Sequence, residues 1–355
     1  MTRFPRARAR AVALALALGS GGGIAFYLLD LPLPWMLGAM TACTVAALSG
    51  ARLMVPFGLR SVMIAVLGIM LGSAFTPALW GQVPQWSGSL TALFAAMAAT
   101  TVLVMTYLRR VAGLGMVTAY FSAAPGGLNE MVMTGGAMGG DERAIAMIHA
   151  LRVLLIVFAV PLGFRLITGV HGASMTSAMG SLLALPLRDA AMLAACGVIG
   201  ALVGRLLRFP AAGLTGPMAA SAALHLAGVT ASHPPAELVI LAQVITGAGL
   251  GARFSGLRWG DVAGIAKVAL GSTAIMVVIS AGGALGLSLL TGQPFPLLLL
   301  AFVPGGIAEM CLIALSLGQD VAFVSTHHVL RVVMVIVAAP LVFRVMARVM
   351  QCRAG

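Results

Sequence analysis

Residues 90–108 run from Leu90 to Leu108 without a single charged side chain, and apolar runs of this kind recur along the chain. A run of about 20 apolar residues is the length that spans the hydrocarbon core of a bilayer. Of 355 residues, 21 are Lys or Arg and nine are Asp or Glu. A soluble protein devotes about a quarter of its residues to charge. The charges here cannot cover a water-facing surface, which excludes a water-soluble enzyme, a DNA-binding domain and a disordered regulator. In lipid the backbone must satisfy its own polar groups, so the choices are a helix bundle or a closed barrel. Barrel strands alternate apolar and polar residues over about ten positions. The unbroken Ala-, Leu-, Val- and Met-rich runs do not, so an all-α polytopic membrane protein is expected.

The formal charge of +12 is read in that light. Basic residues collect in the cytoplasmic loops of inner-membrane proteins. Cys43, Cys196, Cys311 and Cys352 show neither CxxC nor metal-ligand spacing. No disulfide framework, metal or cofactor is expected. Arg3, Arg6, Arg8 and Arg10 precede Ala11 to Leu18, followed by small residues at 19–23, as in a secretory signal peptide. The apolar stretch resumes from Ile24 to Leu29, however, and reaches spanning length. The segment is therefore read as the first transmembrane helix.

The most informative pattern is a duplication. Residues 125–165 align without gaps onto 304–344, with 16 identities in 41 positions. The copies begin Pro125-Gly126-Gly127-Leu128-Asn129-Glu130-Met131 and Pro304-Gly305-Gly306-Ile307-Ala308-Glu309-Met310. His149 and Arg152 match His328 and Arg331, and Asp141 and Pro161 match Asp320 and Pro340. Upstream, 68–75 parallels 247–254, and Pro32, Gly38 and Met40 parallel Pro210, Gly216 and Met218. The pattern predicts two copies of one unit, 1–178 and 179–355, neither able to bury its polar face alone.

Loop charge orients them. With the N-terminus inside and the Pro-Gly-Gly segments re-entrant, Arg52, Arg109, Arg110 and Arg143 fall on the cytoplasmic side. Five crossings per copy then invert the second copy and bring Arg205, Arg208, Arg253, Arg258, Arg344, Arg348 and Arg353 inside as well. Only Arg165 and Arg188 break the rule. The expectation is about ten transmembrane helices, two interrupted segments at 111–140 and 295–318 (re-entrant hairpins or broken crossings), and an inverted repeat. Both termini then face the cytoplasm.

Inverted repeats with helices broken near mid-membrane mark secondary transporters, whose sites lie at the breaks. The candidate solute- or ion-binding residues are Pro125, Gly126, Gly127, Asn129, Glu130, His149 and Arg152 in the first copy. In the second they are Pro304, Gly305, Gly306, Glu309, His328 and Arg331. Proline lacks an N–H and glycine tolerates unusual φ, so both suit an unwound turn. Glu130 and Glu309 sit in the first turn after each break, as helix-capping acids or as protonatable coupling groups. The His and Arg of each pair are three residues apart and share a helix face. The arginines are read either as partners of the glutamates or as forks for an anionic solute. The histidines are read as interhelical contacts or proton relays. His327 has no counterpart at Ile148. Asp141 and Asp320 are expected to cap the following helices. His171, His225 and His233 lie near predicted loops or ends and carry no pattern.

The paired PGG-x-x-EM motif, the later H-x-L-R of each copy and the whole-chain duplication resemble the bacterial AbrB-duplication membrane protein family. Members are commonly labelled regulators of gene expression or ammonia monooxygenases. The resemblance implies a bacterial inner-membrane location and an effect on expression, and supplies no substrate. The family name is shared with a small soluble DNA-binding regulator, to which no segment here corresponds. The resulting expectation is a non-enzymatic inner-membrane secondary transporter, proton-coupled, for a small anionic or amino-acid-like solute. The alternative is a membrane regulator acting through a partner or a metabolite pool, and a membrane monooxygenase is the third reading. The partners expected are the lipid bilayer and a small solute, with no direct nucleic acid. A homo-oligomer is left open.

Overall fold

The computed structural model describes residues 3–168 and 180–354. His171 and the junction between the two sequence halves lie outside them. Fourteen α-helices and no strand occur among the described residues. They are α1 (Arg3–Leu28), α2 (Pro34–Leu48), α3 (Phe57–Gly72), α4 (Trp86–Arg110), α5 (Met116–Ala123), α6 (Leu128–Ala137) and α7 (Glu142–Thr168). After the undescribed junction come α8 (Leu187–Leu206), α9 (Ala212–Leu226), α10 (Ala236–Gly251), α11 (Trp259–Thr291), α12 (Phe295–Phe302), α13 (Ile307–Ser316) and α14 (Val321–Ala354).

Seven helices are long and apolar enough to cross a membrane: α1, α4, α7, α8, α10, α11 and α14. The other three expected crossings are shorter. Helices α2, α3 and α9 have 15, 16 and 15 residues. At 1.5 Å per residue they measure about 22–24 Å, less than the ~30 Å hydrocarbon core. Helices α2 and α9 begin at sharp turns. Leu33 before α2 and Ala211 before α9 are left-handed, with φ of 46° and 50°. So are Asp30 and Arg208 just upstream, with φ of 50° and 55°. Each left-handed residue with a side chain costs roughly 1–2 kcal/mol. That the four fall into two pairs, each 178 residues apart, makes the turn a matched feature of both halves.

The fold divides into two compact units, and each draws on both halves of the sequence. The first comprises Met1–Val83, Val157–Val262 and Ala308–Ala322, and so contains α1–α3, α8–α10, the end of α7 and nearly all of α13. Its helices meet through small residues. A Cβ at Gly38 would overlap the backbone of Gly22 on α1, and one at Gly216 would overlap the backbone of Gly200 on α8. A Cβ at Gly68 of α3 would strike the carbonyl of Leu214 on α9. One at Gly247 of α10 would strike that of Met36 on α2. The pairs correspond at offsets of 178 and 179. Helix α3 of one half thus packs on α9 of the other, and α10 packs on α2. Such backbone-to-backbone approach is how helices associate in lipid, where water gives no hydrophobic drive. Helix α1 runs unbroken through Gly19–Gly23 and packs on α2 there. Cys43, Cys196 and Cys311 are buried, as expected of small apolar side chains.

The second unit comprises Pro84–Ile156, Ala263–Ile307 and Phe323–Gly355. Its core joins Val104 and Leu108 of α4, Ala119 and Ala123 of α5, Ile148 of α7 and Met276 of α11. Here the 111–140 segment resolves as a hairpin. The Asp141 N–H donates to Thr118 Oγ1 at 3.0 Å, tying the end of the segment to the first turn of α5. Midway, a Cβ on Gly135 of α6 would lie 3.1 Å from that of Phe121 on α5. The chain therefore enters along α5, turns at 124–127 and returns along α6. Asp141 Oδ1 accepts the Ala144 N–H at 3.0 Å, the N-cap expected of it for α7.

Candidate functional site

Each break spans four residues, 124–127 between α5 and α6 and 303–306 between α12 and α13. Proline explains what the breaks need. In a continuous helix the carbonyl of Phe121 would accept from residue 125 and that of Leu300 from residue 304. Both are prolines, which have no N–H to give. A buried carbonyl left unpaired costs about 1–3 kcal/mol.

The H-x-x-R pairs supply the missing donors. His149 on α7 is fully buried and meets the Phe121 carbonyl through Nε2 at 2.9 Å. His328 on α14 is equally buried and meets the Leu300 carbonyl through Nε2 at 2.9 Å. One turn further along, Arg152 Nη1 donates to the Ala124 carbonyl at 3.4 Å, and Arg331 Nη1 donates to the Val303 carbonyl at 3.0 Å. Both arginines are 3% exposed, so these guanidiniums serve the protein interior. Each cation also faces the negative end of a short helix, which favours positive charge there. The four bonds span the same separation, 28 residues. The proline of PGG and the histidine of H-x-L-R therefore belong to one device.

Beyond this shared frame the two copies differ. Arg152 Nη2 donates to His149 Nδ1 at 2.8 Å, which fixes that histidine as the neutral Nε2–H tautomer with both nitrogens occupied. Arg331 Nη2 turns instead to the Gly305 carbonyl at 2.9 Å, and His328 Nδ1 is left buried without a partner. Ser280 of α11 adds a bond to the Phe302 carbonyl at 3.2 Å. His327 meets Ser89 Oγ at 2.9 Å and lies against Phe323, ring centroids 4.0 Å apart.

The glutamates do not mirror each other either. Arg152 spends its bonds on Ala124 and His149, so a static Glu130–Arg152 bridge is not formed. Glu130 folds back over Gly127, the N-cap of α6, so closely that a Cβ on Gly127 would overlap Oε2. That places the acid beside the start of α6, where the positive end of the helix favours a carboxylate. Pro125 is buried, Gly126 and Glu130 are half-buried, and Asn129 is exposed. A Cβ on Gly126 would lie 2.8 Å from Val335 on α14. Pro304 and Gly305 are buried and Gly306 half-buried. Glu309 is only 7% exposed and lies in the first unit, within electrostatic reach of Arg253 and Arg60. Arg60 drapes over Gly249, whose added Cβ would sit 3.4 Å from Arg60 Cδ, and Arg60 Nε is buried without a hydrogen-bond partner.

Sequence reasoning missed Arg60 and Arg253 as site residues. Both resemble cytoplasmic loop charges, and neither has a basic counterpart in the other half. It also passed over His225 and His233, which meet in the first unit with ring centroids 6.1 Å apart. Among the described residues, no group of three or more His, Cys, Asp or Glu is placed to hold a metal ion.

The family model described as "Transition state regulatory protein AbrB" matches residues 35–347, which takes in both breaks and both H-x-x-R pairs. The chain belongs to the AbrB family. Two relatives resemble this AbrB-family chain over nearly its whole length. "Uncharacterized protein YhjN" of Bacillus subtilis (strain 168) is 27% identical over 333 residues, covering 88% of this chain and 87% of the relative. "Putative regulator AbrB" of Escherichia coli (strain K12) is 26% identical over 325 residues, covering 90% of this chain and 92% of the relative.

Proposed function

We propose that this AbrB-family protein is a secondary transporter of a small anionic or amino-acid-like solute, coupled to protons. It sits in the bacterial inner membrane with both termini in the cytoplasm. Its halves, 1–178 and 179–355, form an inverted repeat of ten transmembrane helices and two re-entrant hairpins. The observation that carries the reading is the pair of breaks, each held open by a buried His–Arg clamp at a 28-residue separation. A sequence gains nothing structural from two unwound turns that each bury a cation. Unwound backbone inside a membrane protein is tolerated where it lines a binding cavity. The left-handed residues paired at offset 178 and the exchanged packing of α3 on α9 and α10 on α2 support the repeat. Glu309, with Arg60 and Arg253 around it, supplies a protonatable group beside two cations.

Proteoliposomes holding the purified protein, given a mixed pool of amino acids and carboxylates under an imposed pH gradient, are the test. Accumulation of one class, collapsed by a protonophore and at least tenfold lower in Glu130→Gln plus Glu309→Gln, is expected. No gradient-driven uptake of any member sinks the transport reading. Unchanged uptake in the double variant removes the glutamates from coupling.

The name of the Escherichia coli relative favours a second reading, a membrane regulator of gene expression acting through a metabolite pool or a partner. Transcript profiles separate the two. If variants without uptake reproduce the deletion profile, expression follows transport; if they keep the wild-type profile, signalling is a separate activity.

A further inference from the structure

The loop joining α9 to α10 is held by two consecutive residues, Ser232 and His233, to three different helices of the first unit. Ser232 Oγ donates to Asp189 Oδ2 on α8 at 2.5 Å. The Ser232 carbonyl faces His225 Nε2 on α9 at 3.1 Å. His233 Nδ1 lies 2.8 Å from Ser73 Oγ, at the end of α3. Among the described histidines, His225 stands apart in one respect. Its second nitrogen, Nδ1, also faces a carbonyl, that of Ser221 at 2.8 Å. Carbonyl oxygens only accept, and a neutral imidazole has one N–H. Both contacts are hydrogen bonds only when His225 carries both protons. The nearby Ser221 hydroxyl offers no escape, because it donates to the Ile69 carbonyl at 2.9 Å and stands 3.4 Å from Nδ1.

The surroundings fit a single proton. His225 is 5% exposed, so water does not substitute for a lost bond. Its ring stacks on His233, interplanar angle 26°. Two stacked imidazolium rings would repel, so a charged His225 keeps His233 neutral. Ser73 Oγ gives its own hydrogen to the Met70 carbonyl at 2.7 Å, so His233 Nδ1 is the donor to Ser73 and its Nε2 stays unprotonated. The charged and titratable groups facing the cluster are Asp189 from α8, reached through Ser232, and the two histidines themselves; α3 offers only Ser73, and Glu237 at the start of α10 is engaged with Ser181 and the Leu182 N–H. Positions 47, 54 and 55, which correspond to His225, Ser232 and His233 at offset 178, are Ala, Met and Val. The cluster is therefore an addition to one half, not part of the shared frame.

We infer that His225, Ser232 and Asp189 form a proton-operated latch on the α9–α10 loop, closed when His225 is doubly protonated. The binding of the proton does not depend on the transport reading. Its physiological sense does rest on it: in the proposed topology the end of α3, the start of α8 and the end of α9 share the periplasmic face, so the latch reads external acidity. Acidification closes it. Without the second proton one carbonyl loses its donor, and the loop loosens.

Amide hydrogen exchange of the peptide covering 227–235, in purified full-length protein and corrected for the intrinsic pH dependence of exchange, is the test. Protection is expected to fall by about tenfold between about pH 5 and pH 8, the effect of one ordinary net hydrogen bond. His225→Gln should remove the pH dependence, and Asp189→Asn should lower protection at every pH while keeping the dependence. If either variant fails to fold, the ring-nitrogen NMR shifts of histidine-labelled wild-type protein decide alone: a doubly protonated, buried imidazole at pH 5 is expected. Protection that does not change with pH, or a buried His225 ring holding one proton at pH 5, overturns the latch. Neither outcome bears on uptake, so the latch and the transport reading fail separately.

Discussion

The two breaks share a frame and differ in what fills it. At the first, two side chains, His149 and Arg152, serve two carbonyls, and the arginine spends its other bond on its own histidine. At the second, His328, Arg331 and Ser280 serve four carbonyls, those of Leu300, Phe302, Val303 and Gly305. The first break carries an exposed Asn129 and a half-buried Glu130, the second a buried Ala308 and a buried Glu309. The shared bonds compensate for proline and are what any such break requires. The differences are where chemistry can reside, since a purely structural clamp has no reason to be dressed differently in each half. The second break is the more fully hydrogen-bonded and the more buried, and the first has the polar, accessible edge.

Removing the arginines gives the largest contrast. Arg331→Met leaves the Val303 and Gly305 carbonyls without these donors and should cost about 2–5 kcal/mol. Arg152→Met loses one long bond and the donor to His149 and should cost about 1–3 kcal/mol. Denaturant unfolding in a fixed detergent ranks them, and equal losses would remove the distinction drawn here. A smaller effect probes the frame itself. His149→Phe strips the donor from the Phe121 carbonyl, while Pro125→Ala restores a backbone N–H that can reach it. The double variant should be about 1 kcal/mol more stable than the sum of the singles predicts. Simple additivity would mean that the proline and the histidine are not partners.

That partnership shows what the sequence made legible. Pro125 and His149, and Pro304 and His328, stood out because rare polar residues recurred at a fixed offset. Their positions pointed to a site, but not to the job of each side chain. The bond from His149 closes over 28 residues, and only a fold that lays α7 beside the end of α5 reveals it. The expected Glu130–Arg152 pair followed from charge alone. Arg152 instead gives its bonds to the Ala124 carbonyl at the break and to His149 on its own helix, while the Glu130 carboxylate lies over Gly127. The backbone turns that start α2 and α9 were hidden for another reason. Hydropathy reports an apolar run and is blind to the left-handed turns at Leu33 and Ala211 that cut it. Arg60, Arg253 and His225 carried no repeat signal, being features of one half, and became visible only through their neighbours.

The weakest expected effect falls on the same kind of contrast, a loop decorated in one half and bare in the other. His233 is held below the ordinary imidazole value of 6.5, first by burial and then by the neighbouring His225. Because the folded state resists protonating His233, the unfolded chain binds more protons as pH falls below about 6.5. Stability from this group is full above that value and declines as pH drops toward the folded one. His233 is only partly withdrawn from solvent, so screening should keep the loss under about 1 kcal/mol. In the proposed latch His225 acts in the opposite sense, because its two carbonyl contacts are both hydrogen bonds only when both ring nitrogens carry protons. The two contributions can be separated by His233→Gln, whose amide can still donate to Ser73 and does not titrate. In that variant the acid-side loss should vanish, and thermal stability between about pH 5 and pH 7 should rise on acidification instead of flattening. A wild-type profile that His233→Gln leaves unchanged would show that the stacked ring takes no part in the proton balance of the loop, leaving His225 to set it alone.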